Sequence, residues 1–381
     1  MASQGAPASS LNPHRQRFVA LDSWRGIAAI MVMMHHMPRE GFVATSPLVR
    51  ESWLFVEFFF VLSGFVIASA YFRKLAEGYP LAHFMALRLG RLFPAHAVVL
   101  ILFVPVFVLF ALGGASPTGS TGKSWLDLVR TLFFVQIFND PPVSNWNDPS
   151  WSIAAEFWIY GLAALGIAAF KRWVFLLALL AGIVSFVPLW IYGPMPFDFL
   201  PGIAVARGLF GFAVGMIVWR IGGRRTAPSP GTRRGLFTIA EVLALVATGG
   251  LMVAFGDSLM STTLPVFFGA AIWLFSLERG AVSALLRRRA FVMIGELSYA
   301  IYIGHMLVIL GYYLVMSAGN AFLPGGAPDL PGDIVTLSLA TLAIAFAWSL
   351  HRWIEKPARD WTYRVVGIRD TARAEAIAPT F

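Results

Sequence analysis

Residues 55–70 read FVEFFFVLSGFVIASA. One carboxylate, Glu57, stands in a run that otherwise holds only apolar and small side chains. A helix that crosses a lipid core needs about 20 mainly apolar residues, at a rise of about 1.5 Å each. Extended a few residues at either end, this run becomes such a span over 53–72. The same template recurs at 18–36, 93–113, 150–170, 173–192, 199–219, 236–255, 263–278, 291–316 and 334–353, which makes ten. The stretch 126–138 is apolar but short, and it reads as interfacial or re-entrant.

Composition agrees with the pattern. The 381 residues are 58% hydrophobic and 13% charged, with a mean hydropathy of +0.71. Soluble domains sit near 45–50% apolar and about a quarter charged. Disordered, fibrous and soluble globular chains are therefore excluded. The absence of Cys removes disulfides, thiolate metal sites and Cys nucleophiles. The net charge of +9 raises the question of nucleic acid, and its placement answers it. With the N-terminus in the cytoplasm, 24 of the 29 Lys and Arg residues fall on the inner side and 4 on the outer; Arg207 lies within a span. That asymmetry is the positive-inside pattern, and it accounts for the charge without nucleic acid. The expectation is an all-α, polytopic integral membrane bundle of about ten transmembrane helices with a cytoplasmic N-terminus. Residues 1–17 read as a disordered cytoplasmic segment, 18–357 as the transmembrane domain and 358–381 as a cytoplasmic tail. The inner loop 220–235, RIGGRRTAPSPGTRRG, reads as a flexible linker.

Charged and polar residues inside spans are costly, roughly 2.5–3.5 kcal/mol for Arg or Asp at mid-helix on insertion scales, so each is a functional candidate. In LDSWRGIAAIMVMMHHM, residues 21–37, Arg25 and His36 are eleven residues apart. They should share a helix face about 16 Å apart, with Arg25 toward the cytoplasm. Glu57 needs a partner or water. Ser63 and Gly64 read first as packing residues. In RLGRLFPAHA, residues 88–97, Arg88 and Arg91 stand just before a span, with Pro94 in an early helical turn. They are either positive-inside charges or a two-arginine anchor for phosphate. In NDPSWSIAAEFWIY, residues 147–160, Ser152 and Glu156 share a side, and Trp151 reads as an interface anchor or a site residue. In GELSYAIYIGHMLVI, residues 295–309, Tyr299, Tyr302 and His305 trace a spiral, and His305 falls mid-span.

Together these clusters resemble the acyltransferase-3 family of integral-membrane O-acyltransferases. The resemblance rests on Arg25 and His36, on FFFVLSGF at 58–65, and on Arg88 with Arg91. It also rests on Trp151, Ser152 and Glu156, on Ser298, Tyr299, Tyr302 and His305, and on Glu355-Lys356-Pro357. The resemblance implies transfer of an acyl group, acetyl first among them, from cytoplasmic acyl-CoA to a hydroxyl of a carbohydrate or glycoside. It implies a multi-pass protein of the bacterial inner membrane, with no metal. His36 would be the general base, with Arg25 and Glu156 around it. Glu156 would orient His36 or stabilise its cation. Arg88 and Arg91 would hold the CoA phosphates. Glu57, Ser63, Trp151, Ser152, Tyr299, Tyr302 and His305 would bind substrate or support the site. A proton-coupled secondary transporter is the alternative reading of the buried charges, although no internal repeat is visible. A non-catalytic scaffold whose polar residues serve helix association is a third.

Overall fold

The computed structural model describes residues 18–38, 40–113, 124–138, 146–193, 202–222, 234–323, 326–328 and 330–367. Residues 1–17, most of the inner loop 220–235 and the tail from 368 lie outside them. Among the described residues the structure is helical, with no strand. The helices used below are α1 (Val19–His35), α2 (Phe55–Ala76), α3 (Leu81–Leu112), α4 (Trp125–Leu132), α5 (Ser150–Phe170) and α6 (Val174–Tyr192). They continue with α7 (Ile203–Gly222), α8 (Arg234–Phe255), α9 (Leu264–Phe275), α10 (Arg289–Phe322), α11 (Gly332–Leu350) and α12 (Lys356–Val365).

Each of the ten predicted stretches coincides with one of these helices. Seven continuous helical stretches are long and apolar enough to cross a membrane. One of them, Ser150–Tyr192, contains both α5 and α6, joined through a 3-10 turn at Lys171–Trp173. The stretch 126–138 folds into α4, eight residues capped by the Ser124 side chain, and a 3-10 turn at Gln136–Phe138. At 1.5 Å per residue α4 is too short to span.

Two boundaries differ from expectation. α3 begins at Leu81, so Pro94 lies well inside the helix and not in its first turn. With 32 residues α3 is about 48 Å long, against a lipid core of about 30 Å. Arg88 and Arg91 therefore ride on a helical extension of the span. At the other end, α11 passes through a π-helical turn, His351–Glu355, directly into α12. The expected tail thus opens as a helix.

Two pairings organise the bundle. α1 packs along α10, and α2 packs along α7. Both depend on glycines where backbones touch. A Cβ on Gly26 of α1 would strike the backbone of Ile294, and one on Gly215 of α7 would strike the Val61 carbonyl of α2. The outward faces stay apolar: Ile183, Val184, Val187 and Ile191 of α6, and Leu243 and Val246 of α8, are all exposed. In water that surface would aggregate, whereas in lipid it needs no partner.

Gly215→Ala is expected to lower the thermal midpoint of detergent-purified protein, because overpacking against backbone costs about 1–3 kcal/mol or more. Gly250→Ala on α8, where an added Cβ meets nothing within 4 Å, is the control and should leave the midpoint unchanged or raised. Equal midpoints for both variants in a melting curve would refute the close approach.

Candidate active site

The α1–α10 pairing positions the first two candidates. Arg25 is buried, and its Nε donates to Ser298 Oγ at 2.7 Å while Nη2 donates to the Gly295 carbonyl at 2.9 Å. Eleven residues on, His36 caps the C-terminus of α1, with its ring 5.0 Å from the ring of His305. Both residues thus face α10, at levels ten residues apart on that helix, as their spacing predicts.

Between these levels lies a cavity of about 70 Å3, room for a handful of waters at about 10–15 Å3 each. Its polar lining comes from five helices: Arg25 of α1, Ser63 of α2, Arg91 of α3, Ser152, Glu156 and Tyr160 of α5, and Ser298, Tyr299 and Tyr302 of α10. Four hydrogen bonds set its walls. Glu156 accepts short hydrogen bonds from both Ser63 and Tyr160. Tyr299 donates to the Leu92 carbonyl, which ties α10 to α3. Tyr302 and Ser152 share a 2.7 Å hydrogen bond.

The expected arginine pair divides. Arg91 lines the cavity. Arg88 does not: it is 2% exposed and sits among the rings of Tyr71, Phe84 and Tyr160, with Nη2 donating to Tyr71 Oη at 3.0 Å. Three residues advance a helix by about 300°, leaving the two side chains about 60° apart and facing different neighbours. Through Tyr160, Arg88 supports Glu156 and does not itself meet the cavity.

Glu57 also moves out of the expected substrate set. Its side chain meets Arg207 of α7 in a buried ion pair, and the guanidinium lies 5.2 Å from the Trp53 ring and 5.1 Å from the Trp151 ring. Val56, Phe59 and Phe60 line the cavity while Glu57 turns to α7. Trp151 is accordingly one wall of an ion-pair cage.

Tyr302 leads on to the histidines: its ring lies 6.2 Å from that of His305, which lies 5.0 Å from that of His36. His36 Nδ1 lies 2.8 Å from the Val32 carbonyl. A carbonyl only accepts, so Nδ1 carries the proton and Nε2 of neutral His36 holds the lone pair. That nitrogen is 3.8 Å from Asp148 Oδ2. Asp148, and not Glu156, is therefore the carboxylate beside His36; the α5 helix separates the two acids by two turns. His36 itself is outside the cavity lining, with its side chain 21% exposed. Among the described residues no group of three or more His, Cys, Asp or Glu side chains is arranged to hold a metal ion.

Residues 18–352 match the family model for an acyltransferase domain, the acyltransferase-3 model. The chain belongs to the acyltransferase-3 family. It is 25% identical to acyltransferase MdmB of Streptomyces mycarofaciens over 395 aligned positions, covering 96% of each chain. It is 39% identical over 104 residues to protein 2 in the picA locus of Rhizobium radiobacter, covering 27% of this chain and 52% of that one. No solved structure matches it. An acyltransferase of this family with several membrane-spanning helices is a membrane acyltransferase, and the cavity is where its chemistry is to be sought.

Sequence reasoning assigned no site role to Tyr160 or Asp148, and it named Ser298 only as part of the family motif and Arg207 only as a charge within a span. Tyr160 had a signal, because it follows Glu156 by four residues and shares its face. The partners of Ser298 and Asp148 lie on another helix, a pairing that the sequence does not give.

The ion-pair cage carries its own prediction. Glu57→Leu or Arg207→Leu alone should strand a buried charge and destabilise the protein by about 3–5 kcal/mol. The double Leu variant should recover most of the lost thermal midpoint and retain acyl transfer. A double variant that melts normally but is inactive would return the pair to the active site.

Proposed function

We propose that this acyltransferase moves an acyl group, acetyl in the simplest case, from cytoplasmic acyl-CoA to a hydroxyl of a carbohydrate or glycoside, with His36 as general base. The observation that supports this reading most is the polarity of one cavity. Arg25 and Arg91 line it, and through Tyr302 and His305 it connects to the imidazole of His36, whose Nε2 carries the lone pair. Guanidinium groups match phosphate oxygens. Arg91 is the residue for the CoA phosphates, with Arg25 deeper, toward the thioester. Tyr302 and Ser152 stand between the thioester and His36 and must part for the two to meet.

The transfer balances as follows. His36 Nε2 takes the hydroxyl proton as the acceptor oxygen attacks the thioester carbonyl. The C–S bond breaks, and the CoA sulfur leaves with the proton that His36 returns. Asp148, too far at 3.8 Å for a hydrogen bond, stabilises the imidazolium between these steps. The 24-to-4 distribution of basic residues supports a cytoplasmic N-terminus. With it the Arg91 end of the bundle faces the cytoplasm, as a CoA donor requires, and a bacterial inner membrane fits both.

Purified full-length protein supplied with radiolabelled acetyl-CoA and an extract of host glycans and glycosides should yield labelled product. His36→Ala should lower turnover by about 100-fold or more. Arg91→Ala should weaken donor binding with a smaller effect on turnover at saturating donor. A His36→Ala enzyme with undiminished turnover would end this reading.

A further inference from the structure

His305 presents a loose end that the reaction so far leaves unused. It is 0% exposed, midway along α10. Its Nδ1 lies 3.1 Å from the carbonyl of Ile301, one turn back on its own helix. That nitrogen therefore carries the proton, and the lone pair sits on Nε2, on the far side of the ring. Nε2 is buried with no hydrogen-bond partner. A buried acceptor left without a donor costs about 1–3 kcal/mol, so such groups are few in native proteins. Its ring neighbours are His36, at 5.0 Å and tilted by 52°, and Tyr302 at 6.2 Å, whose hydroxyl is engaged with Ser152.

In the resting chain His36 has no proton on Nε2 to offer. It gains one when it takes the acceptor's proton. We infer that His305 is the hydrogen-bond acceptor for protonated His36, so that the two imidazoles hold the transferred proton between their Nε2 atoms until the CoA sulfur removes it. This rests on the reading of His36 as the base. The unsatisfied atom then has a purpose: it is a preorganised acceptor, paired only in the charged state, and such interactions lower a barrier because they are absent from the ground state. No redox step or further reactant is required. A five-membered aromatic ring tucked against the base is also rigid, which a water in the same place would not be.

Among the described residues the titratable groups near His36, besides His35, are a histidine, an aspartate and a tyrosine. His35 of α1 is 5.1 Å from it, ring to ring, and its own Nδ1 is 2.7 Å from the Arg50 carbonyl. Asp148, just before α5, supplies the counter-charge. From α10 come His305 and, behind it, Tyr302. Of these, His305 alone combines a full burial with a lone pair and no competing donor.

The test separates this pairing from acyl transfer itself. His305→Gln keeps an amide near the Nε2 position and can present an oxygen acceptor there, whereas His305→Phe keeps the ring and removes the lone pair. In ligand-free full-length protein with 15N-labelled histidine, NMR follows the pH at which His36 takes up its second proton. That midpoint should fall by about one unit in His305→Phe and stay near wild type in His305→Gln, since a hydrogen bond to a charged group favours the charged form. No donor or acceptor substrate enters this measurement, so it stands even if the proposed acyl transfer fails. In the labelled acetyl-CoA assay, kcat should drop about tenfold or more in His305→Phe, with the acidic limb of its pH profile displaced in the same direction, and recover in His305→Gln. A His36 midpoint unmoved by His305→Phe, or equal losses in both variants with that midpoint unchanged, would overturn the pairing and leave His305 a packing residue.

Discussion

Everything in this molecule answers to the absence of water in the lipid core. A charge or a lone pair inside the bundle cannot fall back on solvent, so its partner has to be built into a neighbouring helix. Glu57 and Arg207 satisfy that requirement between themselves, on α2 and α7, inside a sleeve of two tryptophans. Arg25 satisfies it across α1 and α10 through a hydroxyl and a backbone carbonyl. Arg88 satisfies it with a phenol and three aromatic faces. The first two of these contacts fall on the same helix pairs as the glycine-mediated approaches. The polar residues thus fix which helices meet and at what height, and the glycines let them come close enough for those hydrogen bonds to form.

This division of labour also separates architecture from chemistry. The Glu57–Arg207 pair is the feature that most invites a reading as a proton or ion pathway, yet the two groups are spent on each other. Arg91, Glu156, Ser63, Tyr160, Ser152 and Tyr302 differ in kind, because they border open space. Glu156 is the instructive case. Its carboxylate takes two donors from different helices, which leaves it an organiser of the cavity wall. The carboxylate beside His36 is Asp148, about two turns away at the α5 entrance, where its side chain is exposed.

How far the sequence carried the structure follows from the range of the forces involved. Apolar runs of span length are local, so all ten appeared as helices with only their ends displaced. α3 outran its predicted start because the LAHFMALR segment is a good helix that apolarity alone does not flag. The shared face of Arg25 and His36 was legible because helix geometry is local too. Which residue of each pair meets the cavity was not. Arg88 and Arg91 look equivalent in sequence, and about 60° of rotation sends one into an aromatic cage and the other into open space. The same limit hid Asp148 and Arg207, whose partners are set by tertiary contacts across more than a hundred residues.

The placement of the cavity bears on why the family's reaction is carried out inside a bundle at all. An acyl thioester that reaches a nucleophile in the presence of water is open to hydrolysis, and closing the site against solvent removes that competitor. Here the cavity is small and its far wall is a hydrogen bond between Ser152 and Tyr302, with the imidazoles beyond it. His36 is partly exposed on its other side. Under the proposed reaction, a base beyond that contact would receive its alcohol from one direction only after the donor had parted the wall from the other. The order of events would then be imposed by packing and not by affinity. Under the proposed reaction that hydroxyl pair would part at the moment of transfer, and its two oxygens would become free to hydrogen-bond the reacting groups.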